Sequence, residues 1–167
     1  GEVVGVMAWN TSRHLEVVYG IPGCGAVNHT LNPRLFAEQL IYIINHAEDK
    51  MLMVDLDLLA IIEGIMPQCP KIENVIVMTD EKNMPKESSI RNLICYEQLL
   101  AAEDGNFDWV SGSEYDACGI CYTSGTTGHP KGVVYTHRSN CLHAMASSAP
   151  DMLSLSSRER IMPVVPL

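Results

Sequence analysis

The sequence lacks any apolar run near the ~20 residues that a transmembrane helix needs, so we expect no membrane span. It is also poor in basic side chains, with 11 Lys and Arg against 20 Asp and Glu, which gives a formal net charge of −9 at pH 7. Such an acidic chain disfavours nucleic acid and anionic membranes as main partners, because both carry negative charge. The first residues lack the charged and apolar regions of a secretory leader, so we expect no signal peptide.

The usual motifs of nucleophilic and metal catalysis are also missing. No Gly-x-Ser-x-Gly elbow occurs in the chain. His137 and His143 are six positions apart, whereas paired ligands on one helical face stand four apart, and no third ligand is evident. We therefore predict no metal site, and we interpret His14, His29 and His46 as surface or capping residues.

Six cysteines are scattered through the chain without the spacing of a disulfide framework or a zinc site. Cys118 and Cys121 form a CxxC pair, but the pair falls in an apolar, strand-like run. Residues three apart on a strand point to opposite faces, which does not suit a redox or metal pair. We therefore expect buried free thiols and, with them, a reducing compartment, the cytoplasm.

Apolar runs of strand length alternate with helical repeats in the first half of the chain. The predicted strands cover residues 3–9, 26–29, 51–54 and 75–78. The first predicted helix ends near Gly20. The second begins at Asn32 and Pro33 and has an apolar face of Phe36, Leu40, Ile43 and Ile44, and the third runs from Leu58 to Met66. Buried strands that alternate with helices predict an α/β fold, a mostly parallel sheet flanked by helices. The length of 167 residues fits one domain.

The second half of the chain is predicted to contain loops, two helices and a hairpin. Polar loops are expected at 80–89 and 103–116, with a short helix at 96–102 between them. Strands are expected at 117–122, at 133–136 and in the last run, 161–167. Residues 136–139 should cap a helix whose apolar face consists of Leu142, Met145, Ala146 and Ala149.

Residues 122–132 read Tyr-Thr-Ser-Gly-Thr-Thr-Gly-His-Pro-Lys-Gly, a composition that indicates a loop for an oxyanion. Its glycines let the backbone approach a ligand, its backbone N–H groups can form an anion-binding concavity, and its hydroxyls add donors. Lys131 supplies a mobile positive charge suited to phosphate. The spacing differs from the P-loop, because Pro130 and Gly132 stand where that motif needs Gly and Ser or Thr. A local positive cluster favours a small anionic ligand: His129, Lys131, His137 and Arg138.

This segment resembles the signature loop of the adenylate-forming superfamily, which includes acyl-CoA synthetases, luciferases and peptide-synthetase adenylation domains. A second stretch, at residues 28–35 and 42–49, is similar to the medium- and long-chain fatty acyl-CoA synthetase branch. The resemblance runs nearly end to end but covers only part of a family chain. It implies that residues 1–167 are a partial N-terminal AMP-binding domain, truncated at both ends and without the C-terminal domain.

The resemblance also implies a function, that of a fatty acid–CoA ligase (AMP-forming). Such an enzyme uses ATP to convert a fatty acid to an acyl-adenylate and then transfers the acyl group to coenzyme A; its cofactors are ATP, Mg²⁺ and coenzyme A. The residues that would contact the triphosphate are Thr123, Ser124, Gly125, Thr126, Thr127, Gly128 and Lys131. His129 stands at a position that varies in the family and is given no chemical role.

The resemblance places no catalytic residue within this chain. The residues for Mg²⁺, ribose and coenzyme A are expected outside it, so the isolated chain is expected to be inactive. Two alternatives stay open: an aryl- or amino-acid-activating enzyme, or a non-catalytic folding or dimerisation fragment. The resemblance allows a homodimer through this domain, while the length of the acyl chain cannot be read from these residues.

Overall fold

The computed structural model describes residues 1–123 and 129–162, and within these ranges seven strands alternate with five α-helices. The strands are β1 (Val3–Met7), β2 (Val27–Thr30), β3 (Met51–Val54), β4 (Asn74–Val77), β5 (Leu93–Cys95), β6 (Ala117–Thr123) and β7 (Lys131–Thr136). The helices are α1 (Ser12–Gly23), α2 (Ala37–Ala47), α3 (Leu59–Ile65), α4 (Tyr96–Ala102) and α5 (His137–Ser148).

The strands form one sheet in the order β5-β4-β3-β1-β2-β6-β7. Neighbouring strands are parallel, except that β6 and β7 form an antiparallel pair. The predicted α/β fold with a mostly parallel, helix-flanked sheet is confirmed, and so is the hairpin at β6 and β7. Because β2 and β3 lie on opposite sides of β1, the strand order reverses there. Ligands of open α/β sheets bind in the crevice outside the carboxyl ends of the strands at such a reversal.

Two apolar clusters cover the two faces of the sheet. Leu52 and Val54 of β3 belong to the cluster on one face, whereas Met53 between them belongs to the cluster on the other. This alternation follows the period of two that a strand imposes on its side chains. The helical contributors are Leu40, Ile44 and Ile62 of α2 and α3 on the first face, and Val17, Ile21 and Tyr96 of α1 and α4 on the second. Both faces are thus covered by helices, as buried parallel strands require.

The start of the second helix differs from the prediction. We expect it at Asn32 and Pro33, but α2 begins at Ala37. The Asn32 side chain accepts a hydrogen bond from the Arg34 backbone N–H at 2.9 Å, and this local bond makes a turn in place of a helix N-terminus. Phe36, expected on the apolar face, precedes the helix and is 79% exposed.

Two other elements extend beyond the predictions. α1 continues through Pro22 to Gly23, three residues beyond the predicted end near Gly20. β5, an edge strand parallel to β4, is not predicted at all, since three residues are too few to show a period. The predicted loops at 80–89 and 103–116 are irregular, apart from a 3₁₀ turn at Glu81–Asn83.

The end of the described chain is confirmed only in part. Thr136 caps α5 as predicted, since its hydroxyl accepts a hydrogen bond from the Ser139 N–H at 3.1 Å. The predicted apolar face of α5 is exposed, with Leu142 51% and Met145 72% accessible. Of the predicted strand at 161–167, residues 161 and 162 are not in a strand, and residues 163–167 lie outside the described chain.

All six cysteines are free thiols. Cys69, Cys95 and Cys118 are buried, Cys121 is half-buried, and Cys24 and Cys141 are exposed. The expectation of buried thiols is therefore right for only three of them. Among the described residues we find no helix with the length and apolar content that crossing a bilayer requires.

Candidate functional site

The β6–β7 hairpin brings the two ends of the glycine-rich loop together. Thr123 ends β6, Lys131 begins β7, and the two residues are register partners in the antiparallel ladder. Directly opposed residues of an antiparallel pair project from the same face, with Cβ atoms about 5 Å apart. An exposed hydroxyl and an exposed ammonium group therefore stand side by side at the base of the loop.

The other five predicted triphosphate ligands lie outside the described residues: Ser124, Gly125, Thr126, Thr127 and Gly128. The residues on either side of them, Thr123 and His129, lie within the described chain. β6 runs parallel to β2, so Thr123 lies at the sheet edge where the carboxyl ends of β1 and β2 also lie. This is the edge at which open α/β sheets bind their ligands.

A cavity of about 290 Å³ opens at the same edge, lined in part by Ala8, Thr30 and Tyr122. Ala8 directly follows β1, and Thr30 and Tyr122 lie at the carboxyl ends of β2 and β6. The edge therefore offers a recess beside the base of the loop. Within residues 1–123 and 129–162, no three His, Cys, Asp or Glu side chains are grouped so that they could hold a metal ion.

The predicted positive cluster is not a single patch. Lys131 begins β7 and His137 directly follows its end, so the two residues lie roughly 20 Å apart at ~3.4 Å per strand residue. The Arg138 guanidinium donates to both carboxylate oxygens of Glu114, each at 2.9 Å, and is thereby neutralised. His129 and Lys131 are the members that remain near the loop.

Tyr122, the residue before Thr123, is held by side chains from two other elements. Its hydroxyl is hydrogen-bonded to Nδ1 of His46 on α2 at 2.6 Å. The ring of His29 on β2 lies 5.1 Å from the Tyr122 ring, centroid to centroid. Burial raises the pKa of Tyr122, and the neighbouring Asp49 and Tyr42 raise it further. The start of the loop is thus fixed against both α2 and the sheet.

His29 and Asp49 form a fully buried pair beneath Tyr122. His29 Nδ1 lies 2.9 Å from each Asp49 carboxylate oxygen, and both side chains are 0% exposed. Burial raises the pKa of Asp49, while the hydrogen bond and charge of His29 act in the opposite direction. A buried carboxylate needs such a donor, because an unpaired charge in the interior is costly.

The end of α2 places Asp49 under the sheet. Glu48 adopts left-handed dihedral angles, φ 61° and ψ 41°, and the Asp49 N–H donates to the Ile44 carbonyl at 3.1 Å. This bond across five residues is that of a Schellman turn, which reverses the chain after a helix. On β1, Gly5 leaves room for the carboxylate, since a Cβ there would lie 2.6 Å from Asp49 Oδ2.

The far end of the loop also contacts α2. The ring of His129 stacks on Tyr42 with a centroid distance of 4.6 Å and an angle of 19° between the planes. Tyr42 in turn stacks on His46 at 5.4 Å and 26°. His129, to which the sequence assigns no chemical role, therefore packs the far end of the loop against α2.

The interpretation of the histidines as surface or capping residues is wrong for two of the three. His14 is 1% exposed and His29 is 0% exposed, whereas His46 is exposed in the last turn of α2. Burial lowers the pKa of His14, whose Nδ1 lies 3.2 Å from the Trp9 carbonyl. The spacing of apolar residues in the sequence indicates this burial. His29 is two positions after buried Val27 on a strand, and His14 is three positions before buried Val17 on a helix, so each lies on a buried face.

Comparison with known proteins identifies relatives for the whole chain. Residues 1–167 match the family described as AMP-binding enzyme. The 3-methylmercaptopropionyl-CoA ligase of Ruegeria pomeroyi is 46% identical over 164 residues, which cover 98% of this chain and 30% of that protein. The medium-chain-fatty-acid–CoA ligase of Ectopseudomonas oleovorans is 48% identical over 161 residues, which cover 96% of this chain and 29% of that protein.

A solved structure is similar in fold. The crystal structure of an anthranilate CoA ligase in complex with anthranoyl-AMP gives a TM-score of 0.77 at 25% identity, over 87% of this chain and 27% of that chain. The chain thus spans about 30% of the length of the relatives that it matches.

Proposed function

The chain belongs to the AMP-binding enzyme family, and from that premise we propose that it is part of a fatty acid–CoA ligase (AMP-forming). The proposed role of residues 1–167 is that of a partial N-terminal domain that carries the triphosphate-binding loop. The observation that carries the proposal is the Thr123–Lys131 pair, which closes the loop at the carboxyl edge of the sheet. The names of the two relatives above, both CoA ligases, support it.

The proposed reaction has two steps. A carboxylate oxygen of the fatty acid attacks the α-phosphorus of ATP, and the bond to the departing pyrophosphate breaks, which leaves an acyl-adenylate. The thiolate of coenzyme A then attacks the acyl carbon, a thioester forms, and AMP leaves. In the first step negative charge builds up on the β- and γ-phosphates, so donors and cations aimed at them stabilise the transition state.

The loop residues of this chain would supply those donors. Thr123 and Lys131 stand together at its base, and the hydroxyls and amides of residues 124–128 complete the proposed set. A lysine ammonium 4 Å from a phosphate oxygen gains roughly 4 kcal/mol in a partly wet site. Fixing the pyrophosphate also orients it for in-line displacement, which lowers the entropic part of the barrier.

We propose that the remaining parts of the enzyme lie outside these 167 residues, which span about 30% of the length of the two relatives. We assign to these parts the groups that hold Mg²⁺, the ribose and coenzyme A, and we expect the isolated chain to be inactive. The six free thiols support a reducing compartment, the cytoplasm, as the site of action. A homodimer through this domain stays a prediction. Sedimentation in an analytical ultracentrifuge measures it directly.

The proposed substrate is an aliphatic carboxylic acid, with a fatty acid preferred. The names of the two relatives point to different acids of this kind, a thioether acid and a medium-chain fatty acid. An aryl acid is the substrate in the name of the solved structure, which is more distant from this chain at 25% identity. Substrate choice is therefore part of the test.

Substitution of Lys131 tests the proposed function directly. In the complete polypeptide, ATP–pyrophosphate exchange should depend on added octanoate or 3-methylmercaptopropionate, and not on anthranilate or an amino acid. Lys131→Ala should lower kcat/KM for ATP by about 100-fold, because removing a charge-assisted contact to the leaving group costs about 3 kcal/mol. Lys86→Ala, at an exposed lysine of the 80–89 loop, is the matched control and should behave as wild type.

Two outcomes would contradict the proposed function. One is exchange that none of these acids stimulates, which would favour a folding or dimerisation role. The other is a Lys131→Ala variant with unchanged kinetics for ATP. If only anthranilate or an amino acid stimulates exchange, the proposed adenylation chemistry stands and that acid replaces the fatty acid as the proposed substrate.

A further inference from the structure

One face of α2 contacts both ends of the loop. Tyr42 and His46 are four residues apart on this helix, so their side chains lie one above the other on the same face. The His46 Nδ1 is hydrogen-bonded to the Tyr122 hydroxyl at 2.6 Å, before the loop. The Tyr42 ring stacks on His129 at 4.6 Å, after the loop.

These two contacts hold the loop at both of its ends. Tyr122 and His129 are separated by Thr123 and the five residues 124–128, which carry the proposed triphosphate ligands. Because both flanks of the loop rest on one helix, the base of the loop is fixed relative to the sheet. The stack of Tyr42 on His46, at 5.4 Å, ties the two contacts together.

A buried pair supports Tyr122 from the side of the sheet. The His29 ring contacts Tyr122, and His29 is held by Asp49, which follows the end of α2. On the other side of Tyr122, Gly132 offers no side chain, and a Cβ there would lie 3.1 Å from the Tyr122 ring. The Tyr122 ring is therefore confined between β2, α2 and β7.

We propose that Tyr42 and His46 are positioning residues for ATP: they fix the two ends of the loop so that its donors meet the departing pyrophosphate. Because the loop's role as the triphosphate site belongs to the proposed function, this assignment rests on it. Neither side chain needs to touch the nucleotide. Preorganised donors act only when the residues behind them hold their geometry.

The test compares variants of the complete polypeptide in ATP–pyrophosphate exchange. Tyr42→Ala and His46→Ala should each lower kcat/KM for ATP about 10-fold, while KM for octanoate changes less than twofold. Tyr42→Phe keeps the ring and should restore at least half of the wild-type value. Glu38→Ala, on an exposed position one turn before Tyr42, is the matched control on the same helix and should match wild type.

A double-mutant cycle separates positioning from general destabilisation. The combination of His46→Ala and Tyr122→Phe should lower kcat/KM for ATP by less than the product of the two single effects, because both variants remove the same hydrogen bond. Thermal melting of each variant identifies any that fail to fold, and the exposed His46 variant should melt as wild type does.

Three results would overturn the proposal. Unchanged KM and kcat for ATP in both alanine variants would do so, as would a Tyr42→Phe variant as impaired as Tyr42→Ala, or fully additive effects of His46→Ala and Tyr122→Phe. If Lys131→Ala is impaired as expected in the same assay, only the role of α2 fails. If wild type shows no exchange, the proposed function and the positioning role fail together.

Discussion

At the scale of single residues, the buried carboxylate of Asp49 requires a hydrogen-bond donor at His29 and a residue without a side chain at Gly5. A carboxylate with no exposure to water is tolerated when hydrogen bonds replace its hydration. His29 provides them from β2, at 2.9 Å to each oxygen. Gly5 provides the space from β1, because a Cβ there would lie 2.6 Å from Asp49 Oδ2 and 2.6 Å from Leu52 Cδ2. Three elements thus meet in one buried polar contact.

This arrangement makes Gly5 sensitive to a single methyl group. We predict that Gly5→Ala lowers the free energy of unfolding by about 1–3 kcal/mol, because the added carbon forces Asp49 or Leu52 out of place. Urea denaturation of the chain measures it. The matched control is Gly64→Ala in α3, where a Cβ meets nothing within 4 Å. That variant should gain up to ~1 kcal/mol from helix propensity, and equal effects of the two changes would contradict the account.

At the scale of elements, segments with a local periodic pattern could be predicted, whereas elements decided by one turn or by strand pairing could not. The sequence predicts α4 with its observed bounds, Tyr96–Ala102, although the helix has only seven residues. The start of α2 could not be predicted, because the Asn32 turn decides it through one side-chain bond to Arg34. β5 has three residues and depends on its pairing with β4, which local sequence does not encode.

The N-terminal cap of α5 contributes to the stability of a helix that buries little surface. Thr136 Oγ1 accepts from the Ser139 N–H at 3.1 Å, and Ser139 Oγ accepts from the Thr136 N–H at 2.9 Å. α5 has no buried residue among those described, so its stability depends more than usual on such local bonds.

We therefore predict that Thr136→Ala weakens α5 by about 1 kcal/mol. Amide hydrogen exchange should accelerate about 5-fold in the first turns of α5 and stay unchanged in β3, which lies in the core. Thr136→Ser retains the hydroxyl and is the control that should exchange like wild type. Equal acceleration in α5 and β3 would mean that the cap acts on the whole fold instead.

At the scale of the whole molecule, the site divides into a part that the sequence predicts and a part that only the fold reveals. The composition of residues 122–132 identifies the loop, because glycines, hydroxyls and a lysine in a row have a direct chemical meaning. The support from Tyr42 and His46 has no such local signal. His46 and Tyr122 are 76 positions apart and meet only because β2 pairs with β6. Helical spacing identifies a face, but it does not identify what the face contacts.

The pH dependence of global stability reports the burial of Cys69. This thiol is 2% exposed, and burial, together with the charge of Asp49, raises its pKa from 9.0 to about 11. In the unfolded chain the thiol ionises near the ordinary value, while in the folded chain it stays neutral to higher pH. Between these values unfolding releases a proton, so raising the pH favours the unfolded state.

The expected loss follows from the size of the shift. The neutral Cys69 thiol makes its full contribution to stability below about pH 9, and this contribution is lost as the pH rises to about 11. The loss amounts to about 2–3 kcal/mol at ~1.4 kcal/mol per pKa unit.

Urea denaturation of wild type and Cys69→Ala under reducing conditions measures this loss, since other groups that titrate in this range are present in both chains and cancel in the difference. The advantage of wild type over the variant should shrink by that amount between about pH 8 and pH 11. Cys24→Ala, at an exposed thiol, should keep the wild-type decline. A constant difference between wild type and Cys69→Ala across this range would mean that Asp49 and the surrounding core do not hold the thiol neutral.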